Sequence, residues 1–274
     1  MSEAARLSPP ASPEPEPSVG GASVRGTSHA LGNLPNQDAL AYERAGAWTF
    51  LAVADGHGSA RHYRSDRGSA FAVATVLSLF RRAAHEMEAG GAGRVLATLA
   101  QDLVAGWRER VEADIRLWPI PERPGFESHA VYGSTCVAAA IGPGCSLFLQ
   151  IGDGDVLASS RTGEVDRVVP LDPHLVGAGT YSLCQPDAVA RTHLRLFTAP
   201  HPLSAPDFVM AGTDGLSKSY PRDEDFLAVA RHFRKSLRSA PLDSFLRSLE
   251  PWLAECSGRG SRDDITVALY TVPA

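Results

Sequence analysis

Trp48-Thr49-Phe50-Leu51-Ala52-Val53-Ala54-Asp55-Gly56-His57-Gly58 passes from a short apolar run into a polar corner flanked by glycines. The run is the length of a strand, and Asp-Gly punctuates its end, so it predicts a buried strand over 48–54 with Asp55 at its mouth. Downstream, Phe71, Val73, Val76, Leu79 and Phe80 lie near one face of a helix predicted over 66–88. Leu96, Leu99, Leu103, Trp107 and Val111 recur at three- and four-residue spacing and predict a second helix over 95–115. From Tyr132 to Val169 the rhythm changes to short apolar runs broken by Gly142-Pro143-Gly144, Gly152-Asp153-Gly154 and Thr162-Gly163. That pattern predicts an antiparallel meander joined by hairpin turns.

Between Pro170 and Ala190 no period is present, which suits a surface loop or flap beside a site. Further strands are predicted over 192–198, 208–213 and 265–272, with helices over 224–237 and 242–255. Runs of strands alternating with runs of helices indicate a layered α+β domain. Upstream, Pro9-Pro10-Ala11-Ser12-Pro13-Glu14-Pro15-Glu16-Pro17 offers too little apolar area to offset its ordering entropy. Residues 1–22 are therefore expected to be a disordered tail, and 23–274 one folded domain.

Of the 274 residues, 44% are hydrophobic and 21% charged, enough for a sizeable core. The formal net charge of -5 argues against a nucleic-acid surface, which needs a basic excess. No apolar run is long enough to span a bilayer, and the N-terminus lacks the layout of a secretory signal. A cytoplasmic protein without membrane attachment is expected. Cys136, Cys145, Cys184 and Cys256 form no CxxC pair or zinc spacing, so they read as buried reduced thiols.

The chemistry lies in acidic motifs: Asn36-Gln37-Asp38, Asp55-Gly56-His57-Gly58, Gly152-Asp153-Gly154-Asp155, Thr213-Asp214-Gly215 and Asp263-Asp264-Ile265-Thr266-Val267. Taken singly, Asp-Gly marks nothing more than a turn. Together, carboxylates beside glycines can approach one another and leave backbone carbonyls free, as hard, oxygen-preferring cations require. The motifs are too dispersed to form an EF-hand loop.

Read in order with Gly133-Ser134-Thr135, these motifs resemble the type 2C metal-dependent serine/threonine protein phosphatases from Gly26 onward. The resemblance is closest to a bacterial branch, through Gly26-Thr27-Ser28-His29, Pro35-Asn36-Gln37-Asp38, Gly58-Ser59-Ala60, Ser65-Asp66, Thr180-Tyr181-Ser182-Leu183-Cys184 and Gly212-Thr213-Asp214-Gly215-Leu216. It implies a four-layer α-β-β-α sandwich with two central antiparallel sheets and a metal centre at one end. Two or three Mg²⁺ or Mn²⁺ ions are implied. Asp55 would bridge two of them, the Gly56 carbonyl would ligate one, Asp214 and Asp263 would complete the set, and Asp153 would help hold a weaker third. Asp38 would act through water or hydrogen bonds, and His57 would protonate the departing serine or threonine oxygen.

Many relatives carry a phosphate-binding arginine five residues before the first-motif aspartate, where Asn33 stands here. His29, Arg61, Arg64 and Lys218 are the candidates for the missing positive charge. Gln37 and Asp155 also depart from the family's usual Glu and Arg. The implied activity is hydrolysis of phosphoserine and phosphothreonine in proteins. Its substrates would be phosphorylated proteins, with a cognate serine/threonine kinase as a further partner, and the protein is expected to be a monomer. A phosphatase-like binding module that recognises phosphorylated partners without turnover is the alternative.

Overall fold

The computed structural model describes residues 16–121, 127–175 and 179–273. In chain order its elements are β1 (Ser18–Val24), α1 (Thr27–Leu31), β2 (Ala39–Ala45), β3 (Trp48–Ala54), α2 (Ser65–Glu88), α3 (Ala92–Leu117), β4 (Cys136–Gly142), β5 (Cys145–Ile151), β6 (Asp155–Ser159), β7 (Asp166–Arg167), β8 (His193–Thr198), β9 (Phe208–Gly212), α4 (Asp214–Ser217), α5 (Asp223–Leu237), α6 (Leu242–Arg259) and β10 (Ile265–Thr271). The strands form two five-stranded antiparallel sheets, ordered β1-β10-β9-β6-β7 and β2-β3-β4-β5-β8.

Strand side chains alternate between faces, and here both faces are covered, which is why Trp48–Ala54 reads as apolar throughout. Leu51 and Val53 point between the sheets, where they meet Val209, Ala211 and Ala268 of the facing sheet. Phe50 and Ala52 point outward under Val76, Phe80, Leu103 and Trp107 of α2 and α3. On the opposite side Met210, Val267 and Leu269 lie under Phe226, Phe233, Leu249 and Leu253 of α5 and α6. The result is the expected α-β-β-α sandwich. Leu96, assigned to the buried face of α3, is instead 38% exposed.

Two further expectations change. The folded chain starts before Ser23: β1 begins at Ser18 and pairs residue for residue with β10, from Ser18 opposite Thr271 to Val24 opposite Ile265. Its buried positions are Gly20, Ala22 and Val24, which hardly register as an apolar stripe. Its small residues let α6 lie close; a Cβ on Gly20 would stand 2.6 Å from Leu246 Cδ1, so that side chain would have to shift. Expectations for residues 1–15 lie outside the described residues.

The second change concerns Gly152-Asp153-Gly154, which is not a hairpin turn. It carries the chain from β5 in one sheet to β6 in the other. Gly152 adopts φ +100, a conformation that glycine tolerates. Gln150 Nε2 donates to the Gly154 carbonyl at 2.8 Å and braces the crossing. Gly142-Pro143-Gly144 and Thr162-Gly163 do join hairpins. The cysteines are all free, but only Cys136 is fully buried.

Candidate active site

A cavity of about 700 Å³ opens at one end of the two sheets and takes its acidic lining from separate elements. Asp55 follows β3, Asp153 sits in the crossing between β5 and β6, Asp214 opens α4 after β9, and Asp263 precedes β10. Each therefore lies at or near a strand end, where backbone is free of the ladder. His57, Arg61, His62 and Lys218 also line the cavity.

Glycine lets the acidic segments approach. A Cβ on Gly56 would fall 2.5 Å from the Gln37 carbonyl oxygen and 2.6 Å from that of Ser65. One on Gly215 would fall 2.0 Å from the Asp264 carbonyl oxygen. Both neighbours are backbone, so neither position accepts a larger residue without displacing the chain. Among the described residues no donor reaches the Gly56 carbonyl, while Gly56 N–H donates to Gln37 O at 3.1 Å.

The crowding of carboxylates shows in their proton affinities. Burial, followed by the charges of Asp214, Asp38 and Asp263, pushes Asp55 well above the usual carboxylate range. Burial and Asp153 push Asp214 up to about 7, against the opposing pull of Lys218. Burial also works to raise Asp153, but hydrogen bonds with Asp214, Thr180 and Lys218 outweigh it and bring that group down. Asp214 Oδ1 is buried and accepts no hydrogen bond among the described residues.

Hard carboxylate oxygens, a free glycine carbonyl and an orphaned buried carboxylate oxygen fit divalent magnesium or manganese. Among the described residues no three His, Cys, Asp or Glu side chains are drawn to metal-ligand spacing. Lys218 engages two of the carboxylates. Its Nζ donates to Asp214 Oδ2, and to Asp153 Oδ2 at 3.0 Å.

Asp38 lies behind the cavity lining and accepts from Thr213 Oγ1 at 2.7 Å through Oδ2. Burial raises its pKa strongly, Thr213 lowers it, and Asp264 adds to the rise. His57 donates its backbone N–H to Gly133 O at 3.1 Å, and its ring meets the His62 ring edge-on at 4.9 Å between centroids. Burial, and then His62, lower its pKa to about 4. The ring is neutral near pH 7 before substrate enters.

The protein-family model described as Protein phosphatase 2C matches residues 25–254. The chain belongs to this family. It is a protein serine/threonine phosphatase, and phosphorylated proteins are its substrate class. Among solved structures, the S. agalactiae serine/threonine phosphatase shares 17% identity at TM-score 0.59, covering 94% of this chain and 100% of that one. Mycobacterium tuberculosis PstP/Ppp shares 19% identity at TM-score 0.60, with coverage of 94% and 99%. The catalytic domain of PstP in complex with two manganese ions shares 20% identity at TM-score 0.57, again covering 94% and 99%. These likenesses show the fold. No curated relative matches the chain.

Within this 2C phosphatase the four candidates for phosphate-binding charge separate cleanly. His29 is buried behind the cavity lining, with Nδ1 2.8 Å from Asp264 Oδ2 and Nε2 3.7 Å from Asp263 Oδ1. Arg64 Nη1 donates to Trp118 O at 2.8 Å and Tyr132 Oη at 2.7 Å, and Arg64 is not among the residues lining the cavity. Lys218 is paired as described. Arg61 lines the cavity, is exposed, and has no ion-pair partner among the described residues.

The departures at Asn33 and Asp155 have local explanations. Asn33 has φ +53, a left-handed conformation that Asn tolerates, in the turn after α1. Asp155 is buried and accepts from Arg167 Nε at 2.7 Å; Arg167 also pairs with Asp223. Asp264 anchors the fold: its Oδ1 accepts from Gly26 N and its Oδ2 from Gln37 N, each at 2.6 Å. Thr180 was not singled out as a site residue, although it lies in the expected loop; its hydroxyl donates to Asp153 Oδ1 at 2.6 Å.

Proposed function

We propose that this cavity hydrolyses phosphoserine and phosphothreonine in proteins with the aid of Mg²⁺ or Mn²⁺ held by Asp55, the Gly56 carbonyl, Asp214 and Asp263. The observation that supports this most is the buried, unpartnered Oδ1 of Asp214, a residue that lines one open cavity together with Asp55, Asp153 and Asp263. When bound, the ions supply a water of lowered pKa and neutralise charge on the phosphoryl group. Asp38 braces the acidic wall through Thr213. Arg61, with its guanidinium free at the mouth, receives the phosphate oxygens and takes the place of the arginine absent at position 33.

His57 donates a proton to the departing serine or threonine oxygen. Its low pKa belongs to the substrate-free site; a phosphate dianion brought beside the ring favours the imidazolium and prepares the donor. The physiological partner is a phosphoprotein, with a cognate serine/threonine kinase or that kinase's targets as the expected substrates, and the enzyme acts as a cytoplasmic monomer. No helix among the described residues is long and apolar enough to cross a membrane. No observation favours the non-hydrolytic binding module.

The test is release of inorganic phosphate from a phosphothreonine peptide and from an aryl phosphate, with Mn²⁺ and with chelator. Both should be hydrolysed with the metal and neither without it. Asp214→Asn should lower kcat by at least about 10²-fold at saturating Mn²⁺, the scale of losing one electrostatic stabiliser, while thermal unfolding stays close to wild type. Wild-type kcat in this variant would remove Asp214 from the metal site. Binding of the phosphopeptide without phosphate release would establish the binding module instead.

A further inference from the structure

Asp153 was expected to help hold a third, weaker ion, yet both of its carboxylate oxygens accept a hydrogen bond from a side chain. Thr180 Oγ1 donates to Oδ1 at 2.6 Å, and Lys218 Nζ donates to Oδ2 at 3.0 Å. Lys218 follows α4 one helical turn after Asp214, and the same ammonium donates to Asp214 Oδ2. Asp214 thus faces two ways. Its Oδ2 serves the lysine, and its Oδ1 remains buried without a hydrogen-bond partner among the described residues.

We propose that the Lys218 ammonium is a built-in cation that fills the site between Asp153 and Asp214, so that the enzyme works with two metal ions and admits no third. The choice of residue supports this. Lys218 and Lys235 are the only lysines in the chain, against a Lys plus Arg total of 26, so arginine is otherwise the basic residue of this protein. A lysine ammonium is a compact point charge with three donors and can sit between two carboxylates as a cation does. A guanidinium instead presents its donors in a rigid plane. The tether also fixes the charge at all metal concentrations, whereas a weakly held ion would come and go.

This inference rests on the metal reading above, and its test separates the two. In the wild-type protein, amine labelling followed by mass spectrometry compares Lys218 with Lys235, whose side chain is exposed on α5. Lys218 should react at least about tenfold more slowly because two charge-assisted hydrogen bonds engage it. Millimolar Mn²⁺ should leave that protection in place. Labelling of Lys218 that rises toward the Lys235 rate on adding Mn²⁺ would show that metal displaces the ammonium, and would overturn the proposal.

Native mass spectrometry then counts bound manganese: two ions in wild type and three in Lys218→Asp, where the ammonium is replaced by a ligand. Three ions in wild type, or two in a folded Lys218→Asp, would also overturn it. If Lys218→Asp fails to fold, the labelling comparison still decides. Wild type that binds no manganese at all would remove the metal reading itself, a result distinct from any change at the lysine.

Discussion

His57 is the residue at which mechanism can be separated from mere position in the cavity. Proton donation matters most for a poor leaving group, as in phosphoserine and phosphothreonine, and little for an aryl phosphate that departs as a stabilised phenolate. His57→Gln should slow phosphopeptide hydrolysis by about 10²-fold, the lower end of general acid contributions, with a smaller loss on the aryl ester. Equal losses on both substrates at saturating Mn²⁺ would assign His57 to the local turn or the metal centre. The aspartates and His57 were legible because each sits in a short motif with its own glycine. The fates of His29 and Arg64 were not, since their partners Asp264 and Tyr132 are 235 and 68 residues away. A sequence window cannot reveal which cation is already spoken for. Arg61 emerged as the phosphate candidate only once those partners were visible.

At the scale of elements, β1 corrects the expected domain boundary and supplies its own test. A chain starting at Glu16 keeps every described strand, whereas one starting at Ser23 loses five of the seven residues of Ser18–Val24. The first should match the full chain in thermal midpoint and aryl phosphatase activity. The second uncovers one edge of β10 and part of the face under α6, and should lose several degrees of midpoint or fail to fold; each lost kcal/mol lowers the midpoint of a domain this size by about 2–4 °C. Equal midpoints for all three chains would show that β1 contributes nothing. Helices α2 and α3 were legible from their spacing, and β3 from its continuous apolar run. β1 was not, because close approach of α6 selects glycine and alanine at the very positions where an apolar stripe would be read. The crossing at Gly152-Asp153-Gly154 was hidden for a related reason: glycines mark a sharp change of direction, but do not say whether the next strand returns to the same sheet.

For the whole molecule, the decisive connection is the one between the start and finish of the described chain. β10 lies between β1 and β9, and the segment just before it supplies Asp263 to the cavity and Asp264 to Gly26, Gln37 and His29. Truncation after Arg259 removes Ile265, Val267 and Leu269 from the core, at about 2 kcal/mol each. That sum is comparable to the whole stability of an ordinary domain. The truncated chain should show no cooperative thermal transition and no phosphatase activity; a cooperative transition would mean that the remaining strands close the sheet without it.

The same pairing orders events on the ribosome. β1 is made early but must wait for Ile265–Thr271, on the order of tens of seconds at usual rates of synthesis. An unpaired strand exposed for that long invites aggregation when it is strongly apolar. Ser18-Val19-Gly20-Gly21-Ala22-Ser23-Val24 is a safe segment to leave waiting, since its small residues offer neighbouring nascent chains little to adhere to. Asp263 arrives with the same late stretch, so a partly synthesised chain lacks part of the acidic lining of its cavity.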